Sequence, residues 1–228
     1  EYGYLTETGV VSRTGTPLRG NVYFIFQDSG HNLWIATKGE GLVKAEPQGE
    51  MRYKLTRYQH RKDDIYSLSD DNVYCVYEDD KGRIWVATFG GGINYLTRNR
   101  DGKEIFVNHR NNLKGFPIDK CHKVRFITGD HQGNIWIATT VGALMVNGSF
   151  KNPEDAVFHH YLRVQDDMYS LSNNDVHWIL STRKKELYLA TFGGGLNKLL
   201  SVNADGHARF RSYCVEDGLP SDILLSIR

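Results

Sequence analysis

An all-β fold of β-propeller type, holding about four complete four-stranded blades within 228 residues, is predicted by three observations. One phrase recurs as Asn32-Leu33-Trp34-Ile35-Ala36-Thr37, Ile84-Trp85-Val86-Ala87-Thr88, Asn134-Ile135-Trp136-Ile137-Ala138-Thr139 and Glu186-Leu187-Tyr188-Leu189-Ala190-Thr191. Its anchors, residues 34, 85, 136 and 188, stand 51, 51 and 52 residues apart. Each unit also contains several short β-prone runs broken by Asp and Gly turn signals. Finally, the first run of each unit has large side chains at both parities: Val22, Val73, Val124 and Val176 alternate with Tyr23, Tyr74, Arg125 and His177. A lone sheet could not cover both faces, whereas stacking each sheet between two neighbours covers them.

Composition fits this reading. With 40% hydrophobic and 24% charged residues the chain is ordinary for a folded protein, and 13 Tyr with 23 Gly suits strands joined by tight turns. Basic and acidic residues nearly cancel, 28 against 27, so there is no broad positive field for nucleic acid, and none is expected as a partner. No apolar run reaches the roughly 18 residues of a membrane span, and the first residues lack a signal-peptide layout. Cys75, Cys121 and Cys214 show no C-x-x-C spacing, which disfavours a zinc site. Cys75 aligns with Phe24, Phe126 and Trp178 and is read as a small core residue.

In chain order, residues 1–19 read as the end of a preceding blade, with β-prone runs at Tyr2 to Thr6 and Val10 to Ser12. Residues 20–70, 71–121, 122–173 and 174–220 read as blades, and 221–228 as the first strand of another. The chain is thus expected to be a piece of a larger propeller. The first blade's inner strand is placed at Val22 to Phe26; the second blade's strands are Val73–Tyr77, Ile84–Thr88, Ile93–Leu96 and Ile105–Asn108. Asp79-Asp80-Lys81-Gly82 and Asp130-His131-Gln132-Gly133 are hairpin turns, in which Asp bonds the backbone ahead and Gly takes positive φ. Two units depart, with Gly30 one place early and Lys185 where a glycine is wanted, and their turns are expected to differ in shape.

Gly90-Gly91-Gly92 and Gly193-Gly194-Gly195 follow the second strands. Without a Gly-Lys-Ser/Thr sequence and a helix after them they do not read as phosphate loops, but as turns where a side chain would strike a neighbouring blade. A second phrase, Asp63-Asp64-Ile65-Tyr66-Ser67-Leu68-Ser69, returns as Asp166-Asp167-Met168-Tyr169-Ser170-Leu171-Ser172 at an offset of 103 residues. Its paired carboxylates are read as turn-forming rather than catalytic. His159 and His160 should point to opposite strand faces, so no shared metal site is expected, nor any cofactor or catalytic set.

Meander topology sends the connection into each inner strand and the loop after each second strand to one face, where variable residues on a rigid frame collect. The channel-mouth positions there are Asn21, Asn72, Lys123 and Asp175, followed two residues later by Tyr23, Tyr74, Arg125 and His177. These amides, phenols and charges suit hydrogen bonds to sugar hydroxyls, and Tyr66, Phe89, Tyr169 and Phe192 are candidate stacking surfaces. The competing reading is solvated channel lining and packing between blades.

The phrase Ser-Leu-Ser-x-x-(Asn/Asp)-Val, then Asp-x-x-Gly-x-Ile-Trp-(Ile/Val)-Ala-Thr and Gly-Gly-Gly-(Ile/Leu)-Asn, resembles the two-component regulator propeller repeat over residues 21–222. The chain departs from it at Tyr188, at Lys185 and at Ala36, Ala87, Ala138 and Ala190, where the family commonly has Gly. The resemblance implies a propeller of seven blades, often two in tandem, followed by an immunoglobulin-like domain, a membrane span and a histidine kinase or other output. It further implies a periplasmic, non-enzymatic sensor of oligosaccharides. The partners expected are therefore an oligosaccharide or other small ligand, the remaining blades, downstream signalling domains and a second copy in a homodimer. A protein-interaction scaffold is the alternative function, and a propeller lyase or hydrolase the more remote one.

Overall fold

A computed structural model describes residues 3–228. The expected run from Tyr2 begins outside the described residues; within them a two-stranded ribbon is formed by β1 (Tyr4–Leu5) and β2 (Val11–Ser12). Four antiparallel sheets of four strands follow, each a meander in sequence order. The first holds β3 (Asn21–Gln27), β4 (Leu33–Lys38), β5 (Leu42–Pro47) and β6 (Tyr53–Tyr58). The second holds β7 (Val73–Glu78), β8 (Ile84–Thr88), β9 (Gly92–Arg98) and β10 (Glu104–Asn108). The third holds β11 (Val124–Gly129), β12 (Asn134–Thr139), β13 (Gly142–Asn147) and β14 (Phe158–Tyr161). The fourth holds β15 (Val176–Ser181), β16 (Leu187–Thr191), β17 (Leu196–Val202) and β18 (Ala208–Tyr213). The first strands β3, β7, β11 and β15 pack one on the next, so the sheets are propeller blades with their first strands innermost.

The recurring Trp is the centre of each blade's packing. Trp34, Trp85 and Trp136 are fully buried, and each donates its indole N–H to the turn aspartate six residues earlier, Asp28, Asp79 and Asp130, at 2.8 Å. The aspartate is needed because a buried N–H without an acceptor is costly. Burial acts to raise the Asp28 carboxyl, but hydrogen bonds from Asn32, Trp34 and Gly30 outweigh it and hold it below its ordinary value. The fourth blade lacks both partners together: Thr182 stands for Asp and Tyr188 for Trp. The replacement is a coupled one, since a residue without an indole N–H asks for no carboxylate.

The turns themselves correct the sequence reading. His31, Gly82, Gly133 and Lys185 occupy the same turn position with φ of 64°, 72°, 77° and 64°, and the same two backbone hydrogen bonds close every turn. The shape is thus common to all four, because the Asp and Thr side chains at its start fix the backbone, and two blades hold a non-glycine residue in the left-handed region. Such a residue costs about 1–2 kcal/mol. Lys185→Gly is therefore expected to raise stability, by about 0.5–1 kcal/mol after the added freedom of the unfolded chain is offset. Denaturant unfolding of the two proteins checks it, and a lower midpoint for the glycine variant would refute it.

The Ser-Leu-Ser and Gly-Gly-Gly-x-Asn phrases belong to one knot. In the second blade Asn94, fully buried, accepts from the Ser69 N–H at 3.0 Å and donates to the Ser69 hydroxyl at 2.8 Å. Asn197 and Ser172 repeat this in the fourth blade at 2.9 and 2.8 Å. A Cβ on Gly91 would lie 2.5 Å from the Ser69 hydroxyl oxygen and 2.8 Å from its carbonyl carbon; one on Gly194 would lie 2.7 Å from Ser172 Oγ. Gly91 and Gly194 are thus excluded from side chains by the connection from the preceding blade, while a Cβ on Gly92 would strike the Phe116 ring in the connection to the next.

Simple alternation along the inner strands also fails. Val73 and Val76 both pack towards the first blade, with Trp34 and Ala36, while Cys75 packs with Trp85 and Ile127 towards the third. A β-bulge explains the change of parity. The register slips at the equivalent place in all four inner strands, between Val22 and Phe24, Val73 and Cys75, Val124 and Phe126, and Val176 and Trp178. Val22 and Ile25 of the first blade are 50% and 59% exposed, whereas Val73 and Val76 at the same positions are shielded by the blade before them. Among the described residues no helix is long and apolar enough to cross a membrane.

Candidate functional site: a ribbon along the channel mouth

The extra residue of each bulge is Tyr23, Tyr74, Arg125 or His177, four of the residues singled out from sequence. A bulged residue leaves the hydrogen-bonded ladder and its side chain is re-aimed, and here the four are brought into one line. Tyr23 stacks on Tyr74 with ring centroids 4.5 Å apart, and Tyr74 stacks on Phe89 at 4.7 Å. The Arg125 guanidinium lies 5.4 Å from the Phe89 ring and donates to Asp175 at 3.1 and 3.3 Å. His177 Nε2 is 3.7 Å from the same carboxylate, and its ring stacks against Phe192 at 5.5 Å. Seven residues named from sequence, Asp175 among them, thus form an unbroken ribbon across four blades.

Electrostatics follow from this packing. Burial, then the nearby Arg125 charge, lower the His177 imidazole below its ordinary range despite the opposing pull of Asp175, which favours the neutral ring. Burial and the neighbouring Tyr23 raise the Tyr74 phenol, so it remains a neutral hydrogen-bonding group. At both ends of the ribbon aromatic surface is free, with Tyr23 47% and Phe192 46% exposed.

A second aromatic layer adjoins the ribbon one residue further along the strands, and sequence reading assigned it only to the core. Phe126 stacks on Trp178 at 3.9 Å, and Phe24 approaches Phe126 at 5.9 Å and Trp178 at 6.3 Å. Side chains of the first, third and fourth blades therefore meet. Cys75 is the small member at this position, and Phe24 reaches Phe126 past it.

Asn21 is exposed and pairs in register with Lys38, the first-blade residue in the place of Phe89. Tyr66 and Tyr169 do not join the ribbon. Their carbonyls accept from Phe106 and Phe210 N–H at 2.8 Å, which ties them to the outermost strands β10 and β18. Tyr169 lies under the Arg209 guanidinium at 3.7 Å, and Tyr66 borders a rim cleft of about 240 Å³ with Tyr58 and Phe106. The carboxylates of Asp64 and Asp167 accept from Tyr66 and Tyr169 N–H at 2.9 Å, which makes them turn residues. A concavity of about 830 Å³ lies beside the connection from Arg163 to Asn174, lined almost wholly by that one loop and holding no aromatic group. Among the described residues no group of three His, Cys, Asp or Glu side chains is placed to hold a metal.

Comparison with known proteins accords with the geometry. Residues 67–90 match the family described as two component regulator propeller. The chain carries that family's repeat. This matched segment runs from the Ser-Leu-Ser phrase through Trp85 to Gly90, the first of the three consecutive glycines, and includes the Asp79–Trp85 bond. A curated relative of the repeat-bearing chain, Histidine kinase P4 of Formosa agariphila, is 28% identical over 87 residues, 38% of this chain and 6% of the relative. The fold resembles the extracellular domains of two proteins described as hybrid two component systems of B. thetaiotaomicron. They have TM-scores of 0.63 and 0.59 at 20% and 18% identity, over 93% and 91% of this chain and 26% of each of theirs. An inactive variant of virginiamycin B lyase from Staphylococcus aureus also shares the fold, with a TM-score of 0.58 at 14% identity over 89% of this chain and 59% of the lyase. The chain thus spans about a quarter of each extracellular domain, 26% in both cases.

Proposed function

We propose that the chain is a non-enzymatic ligand-sensing part of a periplasmic receptor ectodomain, binding an oligosaccharide at the channel mouth and controlling a histidine kinase or similar output. The observation that carries this reading is the ribbon from Tyr23 to Phe192. It presents stackable rings, phenol hydroxyls and fixed charges in one line over four blades, as a chain-like ligand requires. Neutral sugars exchange water hydrogen bonds for protein ones of similar strength, so stacking supplies the net gain and affinity is modest. The repeat shared with a two-component regulator family supports the sensor role, as do the folds of the two hybrid-system domains. The acid beside His177 is engaged by two guanidinium hydrogen bonds, which favours a positioning role for it over acid–base chemistry.

Calorimetric titration against a panel of plant, host and microbial glycans tests the proposal. Binding of at least one is expected, with a loss of about two- to tenfold in Tyr23→Ala, whose ring is exposed, since stacking of this kind is worth about 0.5–1.5 kcal/mol. No heat with any glycan, with capture of a protein by the same face, would instead establish the interaction scaffold.

A further inference from the structure

Charge at the mouth is not balanced. Lys123 and Arg125 both approach the ring of Phe89, the Lys123 ammonium at 5.6 Å and the Arg125 guanidinium at 5.4 Å from its centroid. The nearby carboxylate of Asp175 is taken by Arg125 and faces His177. Three acids of the adjoining connections are turned to backbone and amide groups. Asp70 accepts from Asn72 at 2.8 and 3.0 Å, Asp71 from His60 N–H at 2.7 Å, and Asp222 from Val215 N–H at 2.8 Å. Among the described residues no carboxylate lies within ion-pair distance of Lys123, which is exposed. Its counterparts in the other blades are Asn21, Asn72 and Asp175, so the cation is particular to the third blade. Lys38, exposed at the position of Phe89 in the first blade, adds a second positive charge on the same face.

An ammonium resting on a ring face is partly oriented already, and pairing it with an anion makes a charge-assisted bond stronger than any a neutral hydroxyl offers. We propose that the mouth selects an acidic saccharide, one carrying a carboxylate or sulfate group. Lys123 holds the anion while the exposed ring of Tyr23 stacks on the sugar. This rests on the sugar-binding reading above and specifies it, because a neutral glycan would leave the cation unused.

The test is titration with trimers matched in ring and linkage but differing at C6, as in galacturonate against galactose, mannuronate against mannose and glucuronate against glucose. In at least one pair the acid is expected to bind about tenfold or more tightly than its neutral counterpart, as a charge-assisted bond implies. Lys123→Gln should bring that ratio close to one with little change for the neutral trimer, and Lys123→Arg should preserve it. The exposed position of Lys123 makes both variants compatible with folding, which superimposable melting curves establish. Neutral trimers binding as tightly as acidic ones, or a ratio unmoved in Lys123→Gln, would overturn acid selection while leaving sugar binding intact. Absence of binding by every trimer and by the whole glycan panel would remove the sugar reading, and acid selection with it.

Discussion

Replacing Trp85 by alanine is expected to lower the stability of the protein by about 3–5 kcal/mol, the range for emptying a large core site. The indole is fully buried, tilted against Tyr95 with centroids 5.0 Å apart and edge-on to Phe150 at 6.3 Å, so it joins its own blade to a segment of the third. Arg83 lies 5.3 Å from the indole ring and 4.6 Å from Phe150, and it loses that support too. Equilibrium denaturation checks the figure. A surface tryptophan reserved for sugar stacking would lose binding with its midpoint unmoved, and that outcome would place the residue in the wrong role.

Asp79→Ala should cost a similar amount, about 3–5 kcal/mol, because it strands several donors at once. The carboxylate accepts from Lys81 N–H at 3.0 Å, Arg83 N–H at 2.9 Å, Arg83 Nε at 2.6 Å and Trp85 Nε1 at 2.8 Å. Its side chain is 1% exposed and that of Arg83 16%, so water offers little replacement. Combining Asp79→Ala with Trp85→Phe should show a coupling of about 1–2 kcal/mol, since the second change removes one of the orphaned donors. Thr182→Ala in the fourth blade, where Tyr188 stands, is expected to cost under about 1 kcal/mol. Additive effects in the double variant, or an equal loss at Thr182, would contradict the paired reading of the Asp and Trp positions.

The blades were legible in the sequence because the features that define them are local and periodic. A buried Trp every 51 residues in three blades, a turn aspartate six residues before each of them, and a glycine pressed against serine each leave a fixed residue type at a fixed place. The turn at Lys185 was misread for a related reason. Glycine marks positive φ when present, but the hydrogen bonds closing the turn impose that φ on lysine too. The mouth residues were found as positions, yet their linkage was not. Alternation by two cannot reveal a bulge, and it is the bulge that sends Val73 and Cys75 to different cores and lines up Tyr23, Tyr74, Arg125 and His177. Tyr66 and Tyr169 belong to a phrase that starts on the mouth's side of the meander, but their backbone bonds to β10 and β18 carry them to the rim, a tertiary pairing with no sequence signature.

The central claim is that ligand is held by the ribbon at the mouth and not at the rim. Hydrogen–deuterium exchange, with and without a saturating glycan from the titration panel, tests it most directly. Protection is predicted in peptides covering 21–25, 72–76, 89–92, 123–127 and 175–179, rising together across the blades. Protection confined to the connections 61–69 and 164–172, with the inner-strand peptides unchanged, would contradict it and move the site to the rim clefts.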